Sequence, residues 1–132
     1  MKFKFSTANQ IFFGPGTVKQ VASLAVERGS RPLVLTGGSC ERASALMDDL
    51  TAGGMKINRH AVASEPTVDM ALAAVRSARR AECDLVIGIG GGSAMDAAKA
   101  IAGLLRPGQS VMDFLEGVGP ELPYHGPAVP FV

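Results

Sequence analysis

Cysteine is scarce in this chain, with only Cys40 and Cys83. The two are too far apart for a metal knuckle or a redox dithiol, and too few for the disulfide framework of a small secreted domain. Histidine is equally scarce. His60 and His125 fall in no metal-ligand spacing and read as ordinary surface residues. Excess charge of either sign is absent too: 13 Lys and Arg against 12 Asp and Glu leave a net charge of +1. That balance excludes the basic footprint of a nucleic-acid or anionic-membrane binder. No apolar run is long enough to span a bilayer. Met1 to Thr7 alternates Lys with Phe and lacks the apolar core of a signal peptide. The expectation is a soluble cytoplasmic protein with no nucleic-acid and no membrane partner.

What is present is ordinary globular composition, 47% hydrophobic and 19% charged with an Ala and Gly bias, over 132 residues. That is one domain's worth and enough to bury a core. The chain is organised around the stretch from Asp84 to Lys99. Leu85 to Ile89 is a short apolar run of the kind buried on both faces of a parallel sheet. Gly90, Gly91 and Gly92 break it, and Ser93 is placed to cap a helix from Ala94 to Leu105, with Ile101, Leu104 and Leu105 available for burial. Strand, glycine turn and helix start bring free amides and a positive helix end to one point, where a phosphate is the natural occupant. The strict dinucleotide fingerprint is not met, because Gly88, Gly90 and Ser93 stand at its three glycine positions, and the phosphate-loop pattern is not met either. A bare glycine turn with no ligand is the alternative. Asp96 and Lys99, three apart on one helix face, favour a site. Asp96 also stands where a capping box with Ser93 would place it.

The rest of the chain alternates strand with helix. Phe3-Lys4-Phe5 and Gln10-Ile11-Phe12-Phe13 read as exposed extended segments, ended by Gly14-Pro15-Gly16. Thr17 is expected to cap a helix to about Arg28, with Val18, Val21, Ala22 and Ala25 on one stripe and Gly29 as its stop. Leu33 to Thr36 is a short buried strand followed by Gly37-Gly38-Ser39, a second strand, glycine and cap arrangement. The next helix buries Ala43, Leu46, Met47 and Leu50 and ends at Gly53-Gly54. Lys56 to Val62 is a more polar strand, nearer an edge. Glu65-Pro66-Thr67 opens a helix to about Ala81, with Leu72, Val75 and Ala78 inward and Arg76, Arg79 and Arg80 outward. Pro107 to Pro127 is irregular apart from a turn around Val111 to Leu115, and Ala128 to Val132 is one more strand. Such alternation implies an α/β domain, a doubly wound, mostly parallel Rossmann-like sheet with helices on both faces. Ligands in these sheets lie beyond the carboxyl ends of the strands, at a switch in strand order. The turns at Gly37 and Gly90 both stand at such ends. A dinucleotide would use the second for its pyrophosphate and the first for its adenosine ribose.

The chain resembles the amino-terminal half of an iron-containing (group III) alcohol dehydrogenase. The resemblance is carried by Ile11 to Gly16, the Leu33 to Ser39 turn, Glu65-Pro66-Thr67, Asp113 to Gly117, and above all Gly90-Gly91-Gly92-Ser93-x-x-Asp96-x-x-Lys99. It implies that residues 1–132 form a dinucleotide-binding domain in which Gly90, Gly91, Gly92, Ser93 and Asp96 bind the cofactor, with Lys99 solvated or packing as an equal alternative. It implies a divalent metal, iron or zinc, held by one Asp and three His in a helical second domain that this chain does not contain. With that domain, a hydride would pass between NAD(P) and a small alcohol or aldehyde, the metal acting as Lewis acid. Glycerol dehydrogenase, dehydroquinate synthase and a nucleotide-binding module without catalysis are the alternatives. In this family an acidic residue at the position of Gly37 accompanies NAD, and glycine there accompanies NADP. The expected cofactor is therefore NADP(H), with Gly37, Gly38 and Ser39 around the 2′-phosphate. Arg42 is a possible further donor, and Glu41 counts against the assignment. The resemblance also implies a homodimer through residues 1–13, the alternative being that this segment folds back on its own domain.

Overall fold

Five consecutive apolar-to-neutral residues, Pro32–Thr36, make the central strand β1, and every one of them is buried. Such a run needs cover on both faces, which only helices packed above and below a parallel sheet provide. The computed structural model describes residues 1–5, 7–38 and 43–132, so the expectations for Ser39, Cys40, Glu41 and Arg42 lie outside the described residues. Beside β1 run β2 (Asn58–Ala61) and β3 (Leu85–Ile89), both parallel to it, in the order β2-β1-β3. The register sets Leu35 opposite His60 on one side and opposite Gly88 on the other. The last residues extend the sheet past β3. Phe131 bridges Val86 in parallel, and the Val86 and Gly88 amides donate to Pro130 O at 3.0 Å and Val132 O at 2.9 Å.

Side-chain alternation divides the core into two layers. Val34, Leu85 and Ile87 point to the face covered by α1 (Val21–Val26) and α2 (Ser44–Ala52), meeting Ala25, Leu46, Met47 and Leu50. Leu33, Leu35 and Val86 point to the opposite face, covered by α3 (Val68–Arg80) and α4 (Gly92–Leu104), meeting Ala74, Val75, Ala98 and Ile101. This is the expected doubly wound arrangement. The chain leaves β1 toward β2 on one side and then crosses back to lay β3 on the other. The strand order therefore switches at the β1–β3 boundary.

Local chemistry departs from the sequence expectations in several places. Residues 17–20 form a 3-10 turn instead of the start of a long helix, and α1 is only six residues long. Thr17 does not cap it: its hydroxyl donates to Gly14 O at 3.0 Å, the cap position is Gly16 at φ 77°, and Val18 is exposed. Among the described residues of 1–13 there is no strand. A ladder needs a second strand, and none pairs with this segment among the described residues. Leu72 is only half buried, since Ala71, Ala74, Val75 and Ala78 supply the inner stripe of α3. Arg79 is exposed, as expected, and its guanidinium also lies on the end of α4. There Nε donates to Leu105 O at 3.0 Å and Nη2 to Leu104 O at 2.7 Å and to Pro107 O. A fixed cation thus meets carbonyls that have no partner in their own helix. Nor is Gly29 the helix stop: α1 ends at Val26 with Glu27 as its C-cap, and Gly29 answers to close approach, since a Cβ there would lie 2.6 Å from Asp84 Oδ1.

Candidate functional site

At the switch in strand order the carboxyl ends of β1 and β3 open a cleft of about 210 Å³. It is lined by Gly37, Gly38, Gly91, Gly92, Ser93 and Ala94, with Val62, Ala63 and Ser64 from the end of β2. Two features bring the turns together. The Gly37 amide donates to Ile89 O at 3.0 Å, tying the first residue after β1 to the last of β3. Gly90 then turns at φ +151°, where an added Cβ would come within 2.9 Å of Ala94 Cβ and 3.2 Å of Gly37 N. Glycine is required here by both conformation and space. At Gly37, Gly38, Gly91 and Gly92, by contrast, a Cβ would meet nothing within 4 Å. These glycines keep the cleft floor bare, so that a ligand can approach the backbone.

Helix α4 begins at this floor. Its cap is Gly91, and the first rung of its ladder is Met95 N–H to Gly91 O at 3.1 Å. The amides of Gly92, Ser93 and Ala94 precede that rung and have no acceptor within the helix. With the positive end of a helix thirteen residues long, they make a site for an anionic group. Backbone amides at a helix start are the usual donors to a phosphate.

Ser93 is not the cap that the sequence suggested. It is the second residue of the helix, and its hydroxyl donates to Glu65 Oε1 at 2.8 Å. The expected capping box with Asp96 is therefore absent. Asp96 is exposed on α4 beyond the cleft lining, 3.4 Å from Lys99 Nζ. Two other residue sets were not anticipated. Val62, Ala63 and Ser64 line the cleft because β2 ends beside β1, and the rule that placed the two glycine turns at strand ends applies to that loop as well. Glu65 reaches Ser93 from the same loop.

A larger groove of about 330 Å³ lies at the opposite, amino-terminal ends of the strands, between Arg31, Lys56, Ile57, Asn58, Ala81 and Glu82. The helix that borders it is α3, by its carboxyl end at Ala81, and Arg31 is already paired with Glu82. The glycine cleft therefore has the better chemistry although it is smaller. Among the described residues no three His, Cys, Asp or Glu side chains come together in a way that would hold a metal ion. His60 stands on the edge strand β2 and His125 in the carboxyl-terminal loop. Among the described residues these side chains do not fit a catalytic metal. Nor does any helix among the described residues have the length and apolarity to cross a membrane.

Among the described residues two titrations are displaced, and both lie at the far end of β3 from the cleft. Burial pushes the Cys83 thiol up to about 11, aided by the Asp84 charge and opposed by Arg31. At Asp84 burial raises the carboxyl, but hydrogen bonds from Arg31 and Ser30 outweigh it and hold the group below its ordinary value. Neither group takes part in the cleft.

Comparison with known proteins agrees with this geometry. Residues 8–132 match the family model for iron-containing alcohol dehydrogenase. The chain is 32% identical over 108 residues to NADH-dependent butanol dehydrogenase A of Clostridium acetobutylicum, covering 77% of this chain and 28% of that one. It is 30% identical over 102 residues to an NADPH-dependent butanol dehydrogenase of Clostridium saccharobutylicum, covering 74% of this chain and 26% of that one. Its fold superposes on the crystal structure of NADH-dependent butanol dehydrogenase A from Thermotoga maritima with a TM-score of 0.80 at 24% identity, covering 98% of this chain and 33% of that one. The chain thus spans under a third of the curated relatives' length. It belongs to the iron-containing alcohol dehydrogenase family and corresponds to its amino-terminal portion.

Proposed function

We propose that residues 1–132 are the dinucleotide-binding domain of an enzyme that transfers a hydride between NAD(P) and a small alcohol or aldehyde, with NADP(H) preferred. The observation that carries this reading is the meeting of two glycine turns at the β1–β3 switch, with the first amides of α4 at their floor. Nicotinamide dinucleotide, when bound, supplies the hydride donor or acceptor. The chain's own residues bind and orient it. Gly90, Gly91 and Gly92 let the pyrophosphate approach the backbone, and the amides at the start of α4, with the Ser93 hydroxyl, donate to it. Gly37 and Gly38 line the part of the cleft assigned to the adenosine ribose, and the family resemblance adds Ser39 and Asp96 to the cofactor-binding set. The divalent metal of the family, iron or zinc, is assigned to protein outside these residues.

The preference for NADP rests on Gly37. No carboxylate stands there to repel a 2′-phosphate, and the space around its Cα is open. Its amide is engaged with Ile89, so its contribution is room and not a hydrogen bond. Relatives named for NADH and for NADPH are both similar to this chain, so similarity does not select the cofactor. Calorimetric titration of both cofactors against wild type and Gly37→Asp tests the assignment. NADP should bind more tightly than NAD to the wild type. The substitution, which meets no neighbour, should weaken NADP about tenfold and leave NAD equal or better. Equal affinities in the wild type, or no loss of NADP in the variant, would remove the basis for it.

For the 132-residue chain alone a second reading holds, that of a nucleotide-binding module, favoured by the lack of a metal-ligating cluster among the described residues. The chain by itself should bind nucleotide weakly and oxidise no alcohol. Metal-dependent turnover by the purified chain would overturn this.

A further inference from the structure

The hydroxyl of Ser93 has one proton, and the structure shows where it goes. It is donated to Glu65 Oε1 across 2.8 Å, from the start of α4 to the loop after β2. Ser93 lines the cleft, and so does Ser64, the residue before Glu65. A hydroxyl that donates to a carboxylate presents only lone pairs to any other neighbour. Toward a diphosphate those lone pairs are repulsive, and the carboxylate adds a like charge nearby.

We infer that Glu65 is a brake on diphosphate binding: it competes with the dinucleotide's phosphates for the single Ser93 proton, so that nucleotide binds only as the Ser93–Glu65 hydrogen bond opens. This inference rests on the dinucleotide reading of the cleft. Loop and helix are joined by this bond in the free protein and parted in the complex. Release of nucleotide is assisted by the same bond re-forming. Glu65 touches neither phosphate nor the reacting atoms, and it acts through Ser93 as a positioning residue.

Glu65→Gln keeps the size of the side chain and its capacity to accept a bond, but removes the charge. Weakening the hold on the proton should tighten binding. A structural support, when altered, would instead loosen it. Affinities of the 132-residue chain for NADP and for inorganic pyrophosphate are to be measured by ligand-observed NMR on wild type, Glu65→Gln, Ser93→Ala and the double variant. Thermal unfolding is followed alongside to confirm that each variant is folded. Glu65→Gln should bind both probes about three- to tenfold more tightly than wild type. In the Ser93→Ala background the same change should matter by less than about twofold, because the shared proton is gone. Equal or weaker binding by Glu65→Gln, with wild type still binding, overturns the brake and leaves the cleft assignment standing. A full gain that persists without Ser93 also overturns it, since charge alone would then account for the effect. Failure of both probes to bind wild type or any variant would remove the dinucleotide reading, and the brake with it.

Discussion

Gly90 and Gly91 are adjacent, yet a methyl group has opposite consequences at the two. On Gly90, at φ +151°, it would press on Ala94 Cβ at 2.9 Å and on the Gly37 backbone, while on Gly91 it would point into open space. Gly90→Ala should therefore cost about 1–3 kcal/mol of stability, from strain and from the forced separation of the two turns. Gly91→Ala should leave stability within about 1 kcal/mol but place a methyl group on the cleft floor, reducing nucleotide affinity. Denaturant unfolding together with an NADP titration separates the two effects. Loss of stability in both variants, or in neither, would contradict the assignment of conformation to one glycine and of access to the other. The sequence shows three glycines in a row and cannot tell these roles apart, because they depend on where Ala94 and Gly37 arrive. Ser93 is a similar case. A serine after a glycine turn reads as a cap, and only the arrival of Glu65 from a loop 28 residues earlier shows that its hydroxyl is taken.

Elements are joined in this fold by polar groups that periodicity does not reveal. Arg79 links α3 to the end of α4, and Asp84 links β3 to the turn before β1. The Asp84 carboxylate accepts from the Ser30 amide with both oxygens at 3.0 Å, from the Ser30 hydroxyl at 3.0 Å and from the Arg31 amide at 2.8 Å. Its folded-state pKa is lowered from 3.8, burial opposing and the hydrogen bonds prevailing. A depressed carboxyl stabilises the fold above its unfolded value, and that contribution disappears as pH falls through the folded value. Asp84→Asn offers one oxygen where two are used, and its amide faces donors. It should be less stable than wild type by roughly 1–2 kcal/mol at neutral pH. The difference should begin to shrink as pH drops below 3.8 and vanish only once pH has fallen through the lower folded-state value, where the wild-type carboxyl is protonated in the fold as well. Urea unfolding across that range checks it, and a constant difference at every pH would mean that the carboxylate's charge is irrelevant. The helices and strands themselves were legible, because Leu33 to Thr36 and Leu85 to Ile89 are too apolar for anything but a doubly covered strand. Helix ends were less so, as the 3-10 turn at Thr17 shows: capping chemistry is local, but the choice of which residue caps is settled by packing.

Across the whole molecule, strand alternation with helices was enough to anticipate a doubly wound sheet, and strand-end glycines were enough to anticipate one shared cleft. What sequence periodicity could not supply was the strand order, which depends on which side of β1 the second crossover takes, and hence the participation of Val62, Ala63 and Ser64. The amino-terminal segment is where the single chain leaves most apolar surface uncovered. Phe3, Phe5, Ile11 and Phe13 are 81%, 80%, 73% and 99% exposed, and no strand forms among the described residues of this stretch. Alternating Phe and Lys retains the pattern of a strand with one apolar face, and an unpaired segment of that kind is a template for pairing with another chain. Apolar area of this size is unusual on a monomer. A second copy carries the same segment, and a two-fold axis would let each strand cover the other. We therefore expect a homodimer through residues 1–13. Light scattering over a range of concentrations should show a dimer for wild type and a monomer for Phe3→Ser/Phe5→Ser, with amides in residues 1–13 protected from hydrogen exchange only in the former. A wild-type chain that stays monomeric at high micromolar concentration, with those amides exchanging freely, would show that the segment has no partner in a second copy.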